Sequence, residues 1–364
     1  MRPYFSLIFT LCILLVTTAC ISEFDFLHEK KENGFLVVSG VISNSTENRR
    51  ITVSRFNDLD TSSTPVSVTG SVFKNDQLEA ELIADSIGVL SFPQSFKLEE
   101  GAAYHVEMTT ADNQVFKSNP EIIQPLWKAD SMSIEVERRV VGTNAGGGPR
   151  YEWFVDVFTH IRIPVSGEVQ KLLRTQMDEA WAVKEVQNPR DPFNDIVRTC
   201  YPTKDITENP SLVLNTGNFV PGETIKVKTG SHIVDQTFLH KHYFNVYLHS
   251  LGREAFEYFS SAQRLIDIEG NFFDEIPAPL SGNVYNTDSE GEKIYGYVEF
   301  SQADTIRLGV EYRDVGRSIL NYCEQYYSCT YNPPNSASSS ACYCLDCHLV
   351  YGFESLYKPP YWED

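Results

Sequence analysis

Basic residues are scarce in this chain of 364: 30 Lys and Arg stand against 49 Asp and Glu, a formal net charge of −19. That deficit excludes an electrostatic grip on nucleic acid or on an anionic bilayer, both of which need clustered cations. Long apolar runs are missing as well. Tyr4 to Val16 is 13 residues without a charge, whereas a helix needs about 20 to span a bilayer. The phosphate-cradling P-loop, the dinucleotide GxGxxG, the zinc-binding HExxH and the nucleophile-elbow GxSxG are all absent. Their absence removes the usual sequence warrants for nucleotide, metalloprotease and serine-hydrolase chemistry. What is present can fold: 42% of residues are hydrophobic and 22% charged, enough to bury a core and too little charge for disorder.

The start reads as an address. Arg2 precedes the uncharged run, which has the length of a secretory h-region. It ends in Val16-Thr17-Thr18-Ala19-Cys20, small residues directly before a cysteine. This is the form of a bacterial lipobox, in which the free thiol takes the diacylglyceryl group. The expectation is a signal peptide over 1–19, lipid on Cys20 and a tether over 20–33, which anchors the chain without spanning. Glu23 and Asp25 follow the cysteine and resemble a surface-export signal. A solvated tether explains them equally.

Six cysteines remain once Cys12 leaves with the leader and Cys20 carries lipid: Cys200, Cys323, Cys329, Cys342, Cys344 and Cys347. An even number in an oxidising compartment favours three disulfides, with Cys200 reaching across the fold to the other five. The rival is a zinc site at Cys344-x-x-Cys347-His348 completed by Cys342 and Cys323.

The body alternates with period two. Phe35 to Ile42, Arg50 to Ser54, Val66 to Val72, Leu78 to Leu82 and Tyr104 to Thr109 read as strands, separated by turns such as Asn75-Asp76 and Glu100-Gly101. Strands about ten residues apart with no long helix give an antiparallel sandwich, Ig-like or carboxypeptidase-regulatory-like, over 34–122. A larger β-rich domain over 126–364 is expected to follow. It would carry a Gly142–Pro149 hairpin or loop, strands at Tyr151 to Ile163 and Phe238 to Leu248, and a buttressing helix at Arg253 to Ile268 with Phe256, Phe259, Ala262 and Ile266 on one face. Strands return at Ile294 to Phe300 and Ile306 to Tyr312, and the C-terminus is a disulfide-stapled tail.

Catalytic signals are few. His240 and His242 share a strand face and can bind metal, but no third ligand is placed beside them, so a half-exposed strand face is expected. No catalytic residue, metal or cofactor is assigned. Nine tyrosine and tryptophan residues, from Tyr322 to Trp362, enrich the tail. They suit a binding surface or a small core equally.

Several stations along the chain recur in order: Cys20, Val38-Ser39-Gly40-Val41-Ile42, Ile51-Thr52-Val53-Ser54, and Tyr104 to Thr109 with Lys117-Ser118. Leu280-Ser281-Gly282-Asn283-Val284 and Ile294-Tyr295-Gly296-Tyr297-Val298 come later, and Cys344-x-x-Cys347 leads to Lys358-Pro359-Pro360-Tyr361-Trp362. The set resembles a Bacteroidota outer-membrane lipoprotein family of unknown function, often encoded beside TonB-dependent receptors. The resemblance implies a surface lipoprotein that serves such a transporter as a non-enzymatic partner, capturing or capping substrate. The alternative is a structural or adhesive envelope protein, with a hydrolase a distant third.

Overall fold

The computed structural model describes residues 34–44, 49–57, 62–165, 171–185, 197–206, 212–266, 280, 282–287, 294–319 and 347–363. The expected leader, Cys20 with its tether, and Cys323, Cys329, Cys342 and Cys344 lie outside the described residues. Within them the chain is mainly β. The first stretch supplies β1 (Phe35–Ser43), β2 (Arg50–Asn57), β3 (Ser62–Pro65), β4 (Val68–Lys74) and β5 (Gln77–Glu81). It continues with β6 (Ile83–Ser86), β7 (Val89–Ser91), β8 (Ala103–Thr110), β9 (Val115–Ser118) and β10 (Glu121–Ile122). Alternation drives the burial: Leu36, Val38 and Ile42 of β1 are buried, as are Tyr104, Val106 and Met108 of β8. The β4–β5 turn places Asn75 and Asp76 at positive φ, the conformation a tight hairpin demands and these residues tolerate.

Next come β11 (Ala129–Thr143), β12 (Pro149–Arg162), β13 (Leu172–Trp181), β14 (Val183–Lys184), β15 (Thr199–Cys200), β16 (Thr203–Asp205) and β17 (Leu212–Asn215). The last strands are β18 (Thr224–Ile233), β19 (His242–Ser250), β20 (Val284–Asn286), β21 (Ile294–Tyr295) and β22 (Val298–Val310). Helices α1 (Arg253–Ile266), α2 (Tyr312–Val315) and α3 (Cys347–Tyr351) complete the described regular elements, with three short 3-10 turns.

An eleven-stranded sheet runs β16-β13-β19-β22-β1-β2-β7-β6, with β17 on β13, β21 on β1 and β3 on β2. A six-stranded sheet, β20-β9-β8-β4-β5 with β10 on β8, packs on it. The core between them joins Val38, Ile51 and Phe300 to Val72, Tyr104 and Met108. The Tyr104 and Phe300 rings lie 5.8 Å apart. The three-stranded sheet β11-β12-β18 closes a second core, in which Val155 and Val157 meet Met177, Phe244 and Val246. Burying each such side chain contributes about 1.5–3 kcal/mol. On β22, Val298 and Phe300 enter the first core while Ile306, Leu308 and Val310 enter the second. Both smaller sheets therefore cover the same face of the large one.

β22 was read as two strands, with a break near Ser301. It is one, because its first residues Val298 to Ser301 pair with β1 and its remaining ones, Gln302 to Val310, pair with β19. The pairing with β1 is parallel. β20 pairs with β9, so strands beyond residue 280 complete both sheets of the N-terminal sandwich, while the step from β10 to β11 falls at the expected linker. Gly296 makes the close approach possible: it sits at φ +90°, and a Cβ there would lie 2.2 Å from the Val38 carbonyl oxygen. Gly142 to Pro149 is the tip of the long β11–β12 hairpin, where Asn144 Oδ1 accepts hydrogen bonds from the Gly146 and Gly148 amides.

Helix α1 buttresses the sheet as expected, but through its first two turns. Ala255 is fully buried and Phe256, Tyr258 and Phe259 pack on Leu172, Leu251 and Tyr297, while Ile266 is exposed.

Candidate functional site

One face of the large sheet is apolar and covered by the two smaller sheets. The other face is polar, because the alternate positions of its central strands carry polar residues. Arg174, Gln176 and Asp178 of β13, Tyr247 and His249 of β19, and Glu299 and Ser301 of β22 share that face through the pairings Arg174 with His249 and Gln176 with Tyr247. Ser39 and Val41 of β1 continue it, with Thr52 and Arg50 of β2 opposite them. Helix α1 lies over part of this face and leaves a cleft of about 600 Å³. Ser39, Thr52, Gln176, Asp178, Tyr247 and His249 line its floor, Tyr258 and Phe259 of α1 its wall, and Gly296 and Tyr297 its end.

Beneath the cleft the polar groups are fixed. Arg174 donates from Nε to Glu299 Oε2 at 3.0 Å, with Nη2 in ion-pair contact with the same oxygen at 2.7 Å, and its guanidinium lies 4.5 Å from the Phe259 ring centre. The Glu299 carboxylate has no exposed surface. Burial pushes its pKa up, but Arg174, His249 and Ser301 outweigh burial and hold it down at about 2. His249 turns Nδ1 to Glu299 Oε1 at 3.0 Å and to Ser301 Oγ at 2.9 Å. Burial, reinforced by the Arg174 charge, lowers the His249 pKa, so the ring is neutral. With acceptors at Nδ1 the proton belongs there, and Nε2 is a lone pair with no partner among the described residues. Asp178 accepts from Asn245 Nδ2 at 2.6 Å and from the Tyr247 hydroxyl at 2.8 Å.

At the cleft end the Tyr297 hydroxyl donates to Glu121 Oε1, and Glu121 Oε2 accepts from the Phe300 amide at 2.8 Å. Burial pushes the Glu121 carboxyl up to about 8, despite those two donors. Burial and the neighbouring Glu121 raise the Tyr297 pKa in turn.

The residues singled out by the sequence fall elsewhere. Cys200 is bonded to Cys347, so Cys200 does bridge to the distant cluster, and Cys347 is not free to serve as a zinc thiolate. Glu185 steadies the junction, accepting from the Cys347 amide at 2.9 Å and the Arg198 amide at 3.1 Å. In the tail, Tyr361 and Trp362 pack on Tyr243 as part of a small core, while Tyr357 is exposed.

His240 and His242 do not form a half-exposed face. His240 precedes the strand, and His242 is fully buried, with Nε2 3.3 Å from Glu179 Oε2. The acidic partner comes from β13, 63 residues away in the chain, which spacing along one strand cannot show. The cleft residues Arg174, Asp178, His249 and Glu299 were also missed. Their signal was polar residues at every second position of three strands whose intervening residues are mostly apolar.

The arrangement offers fixed acceptors, aromatic walls and one idle imidazole nitrogen. Ser301, the hydroxyl bonded to His249, has no exposed surface and is tied to Glu299, so it is not presented as a nucleophile. No described helix is long and apolar enough to cross a membrane. No curated protein matches the chain. Residues 21–307 match the model of a domain of unknown function, DUF4249. That match covers well over half of the chain, and the protein therefore belongs to the DUF4249 family.

Proposed function

We propose that this protein is a lipid-anchored envelope protein, held at the outer membrane by Cys20 and facing outward, that captures a small polar ligand in the cleft and passes it to a TonB-dependent transporter. The observation that carries the capture step is the cleft: a polar sheet face, roofed by α1, on whose floor the Arg174–Glu299–His249 network fixes His249, Asn245 and Tyr247 hold Asp178, and Ser39 bonds Thr52. Preorganised acceptors reduce the entropy cost of binding and fix ligand orientation. Asp178 and Asp205 favour a ligand rich in hydroxyl or amide donors, and Tyr258 and Phe259 offer faces for its apolar side. Ser301, the hydroxyl bonded to His249, is buried and tied to Glu299, which supports a binding role over a hydrolytic one.

The transporter step draws on the resemblance of the ordered stations and on two surfaces. The β11–β12 hairpin projects Val140 and Tyr151, both exposed, and the C-terminal segment exposes Phe353 and Tyr357. An interface that holds buries more than about 1,000 Å², with aromatic anchors carrying much of the energy.

The test is a mild-detergent pull-down through a C-terminal tag, with protease shaving of intact cells alongside. Recovery of a β-barrel receptor and cleavage on intact cells support the reading. Protection until the outer membrane is opened, with no barrel recovered, overturns it and leaves the structural alternative. Ser39→Trp, which fills the cleft, separates the steps: it abolishes ligand uptake while the barrel is still recovered.

A further inference from the structure

On the opposite, apolar face of the same strands lies a second polar group. Glu179 of β13 and His242 of β19 point toward the three-stranded sheet, and His232 of β18 reaches them from it. Glu179 Oε2 lies 2.7 Å from His232 Nδ1 and 3.3 Å from His242 Nε2. One ligand atom from each of the three residues falls within 4.8 Å of the others. The rings of Phe238, Phe244 and Trp181 surround His242 at 4.4, 4.6 and 6.0 Å.

Packing does not account for this trio. Two imidazoles and a carboxylate in an aromatic layer carry a desolvation cost of several kcal/mol that leucines would not. The His242 Nδ1 atom, fully buried, has no partner among the described residues. His232 is arranged differently. Its far nitrogen, Nε2, faces Asp235 Oδ1 at 3.6 Å and Thr237 Oγ1 at 3.4 Å. Asp235 is itself held by the Thr237 amide at 2.9 Å and hydroxyl at 2.7 Å. A fixed carboxylate behind an imidazole is the arrangement that orients metal-binding histidines and sets their tautomer. His232 is 14% exposed, against 0% and 2% for His242 and Glu179, so it lies at the mouth through which an ion would enter.

We propose that Glu179, His232 and His242 form a binding site for a divalent transition ion of the zinc class, with a further coordination position left to water. Two nitrogens and one carboxylate oxygen are the donors such ions prefer, whereas calcium and magnesium take all-oxygen shells and copper(I) takes sulfur. Metal–ligand bonds of about 2.0–2.1 Å in tetrahedral array put donor atoms about 3.3 Å apart. The Glu179–His242 spacing is already there, and the Glu179–His232 pair opens by a few tenths of an ångström to admit the ion. The ion would tie β13 and β19 to β18. The site lies across the sheet from the cleft and does not rest on the transporter reading.

The full chain, purified in detergent and stripped with chelator, is titrated with cobalt(II) and then with zinc. One cobalt per chain, visible ligand-field bands, no near-ultraviolet thiolate charge transfer and displacement by zinc are expected. His232→Gln should lose the visible bands, and Asp235→Asn should weaken binding about 10–100-fold. His249→Gln, on the other face, should bind as the parent does. Because Glu179 and His242 are buried, the mouth residue His232 is the primary variant, and its circular dichroism must match the parent's. In a second readout, zinc should raise the parent's melting midpoint and leave that of His232→Gln unchanged. Absence of ligand-field bands at saturating cobalt, thiolate bands from the tail cysteines, or bands that persist in His232→Gln would each overturn the proposal.

Discussion

Arg174 and Glu299 show what a buried charge pair demands of its neighbours. Both side chains are almost wholly inaccessible, at 3% and 0% exposure, and removing one partner leaves the other charged in a low-dielectric layer. Glu299→Gln should therefore cost about 3–5 kcal/mol of stability, and Arg174→Met paired with Glu299→Leu should recover most of that loss. Urea unfolding of the two variants against the parent measures both. Glu121 carries the opposite sign. Its folded carboxyl titrates at about 8 against an ordinary 4.5, so between those values the folded chain keeps a proton that the unfolded chain releases. Stability from this group falls as pH rises through that window. Glu121→Gln mimics the protonated form and should flatten the fall, leaving the variant more stable than the parent at about pH 9 and little changed at about pH 5.5. Melting midpoints at the two pH values decide. Glu179 and Glu299, each held at about 2, act at the other end, losing their contribution as pH drops below the ordinary carboxylate range.

Elements were more legible than sites. Alternation located β1, β2, β4 and β8 because each has one buried face, and Asn75-Asp76 marked its hairpin because few other residues accept positive φ. The continuity of β22 was hidden, since polar Gln302 and Asp304 interrupt its even-numbered apolar series where its partner changes from β1 to β19. The cleft was illegible for a related reason: Gln176, Tyr247, Ser39 and Thr52 come from four strands that only the sheet order brings together. The reach of Cys200 to the distant cysteines was legible, and its partner among the five was not. Cys200 and Cys347 close a loop of 147 residues in sequence, so replacing both by Ser should cost about 2–5 kcal/mol, read by denaturant melts with and without reductant. The β11–β12 tip makes few contacts beyond its own turn. Replacing residues 143–148 by a two-residue Asn-Gly turn should leave the melting midpoint within about 2 °C, a change below 1 kcal/mol, and should abolish barrel recovery if the hairpin is the docking surface.

For the molecule as a whole, the lipid and the fold have separate tests. Cys20→Ala should move the protein from the membrane fraction to the soluble one without altering its circular dichroism, because no described residue of the fold depends on the anchor. The parallel pairing of β1 with β22 has a consequence for how the protein is made. The strand that begins the fold near residue 35 waits for a neighbour that begins at residue 298. Loop closure over that distance is slow and comes late. A chain threaded across a membrane from its N-terminus thus emerges with β1 open on one side and the core around Val38 unroofed until nearly all of it has crossed. On the proposed export route the chain would need a holding factor on the far side, and a version ending at residue 125 should emerge as an unpaired edge and be degraded or aggregate. Pulse labelling of the truncated and full chains would show the difference as a short half-life in the first and protease resistance, gained only after release, in the second.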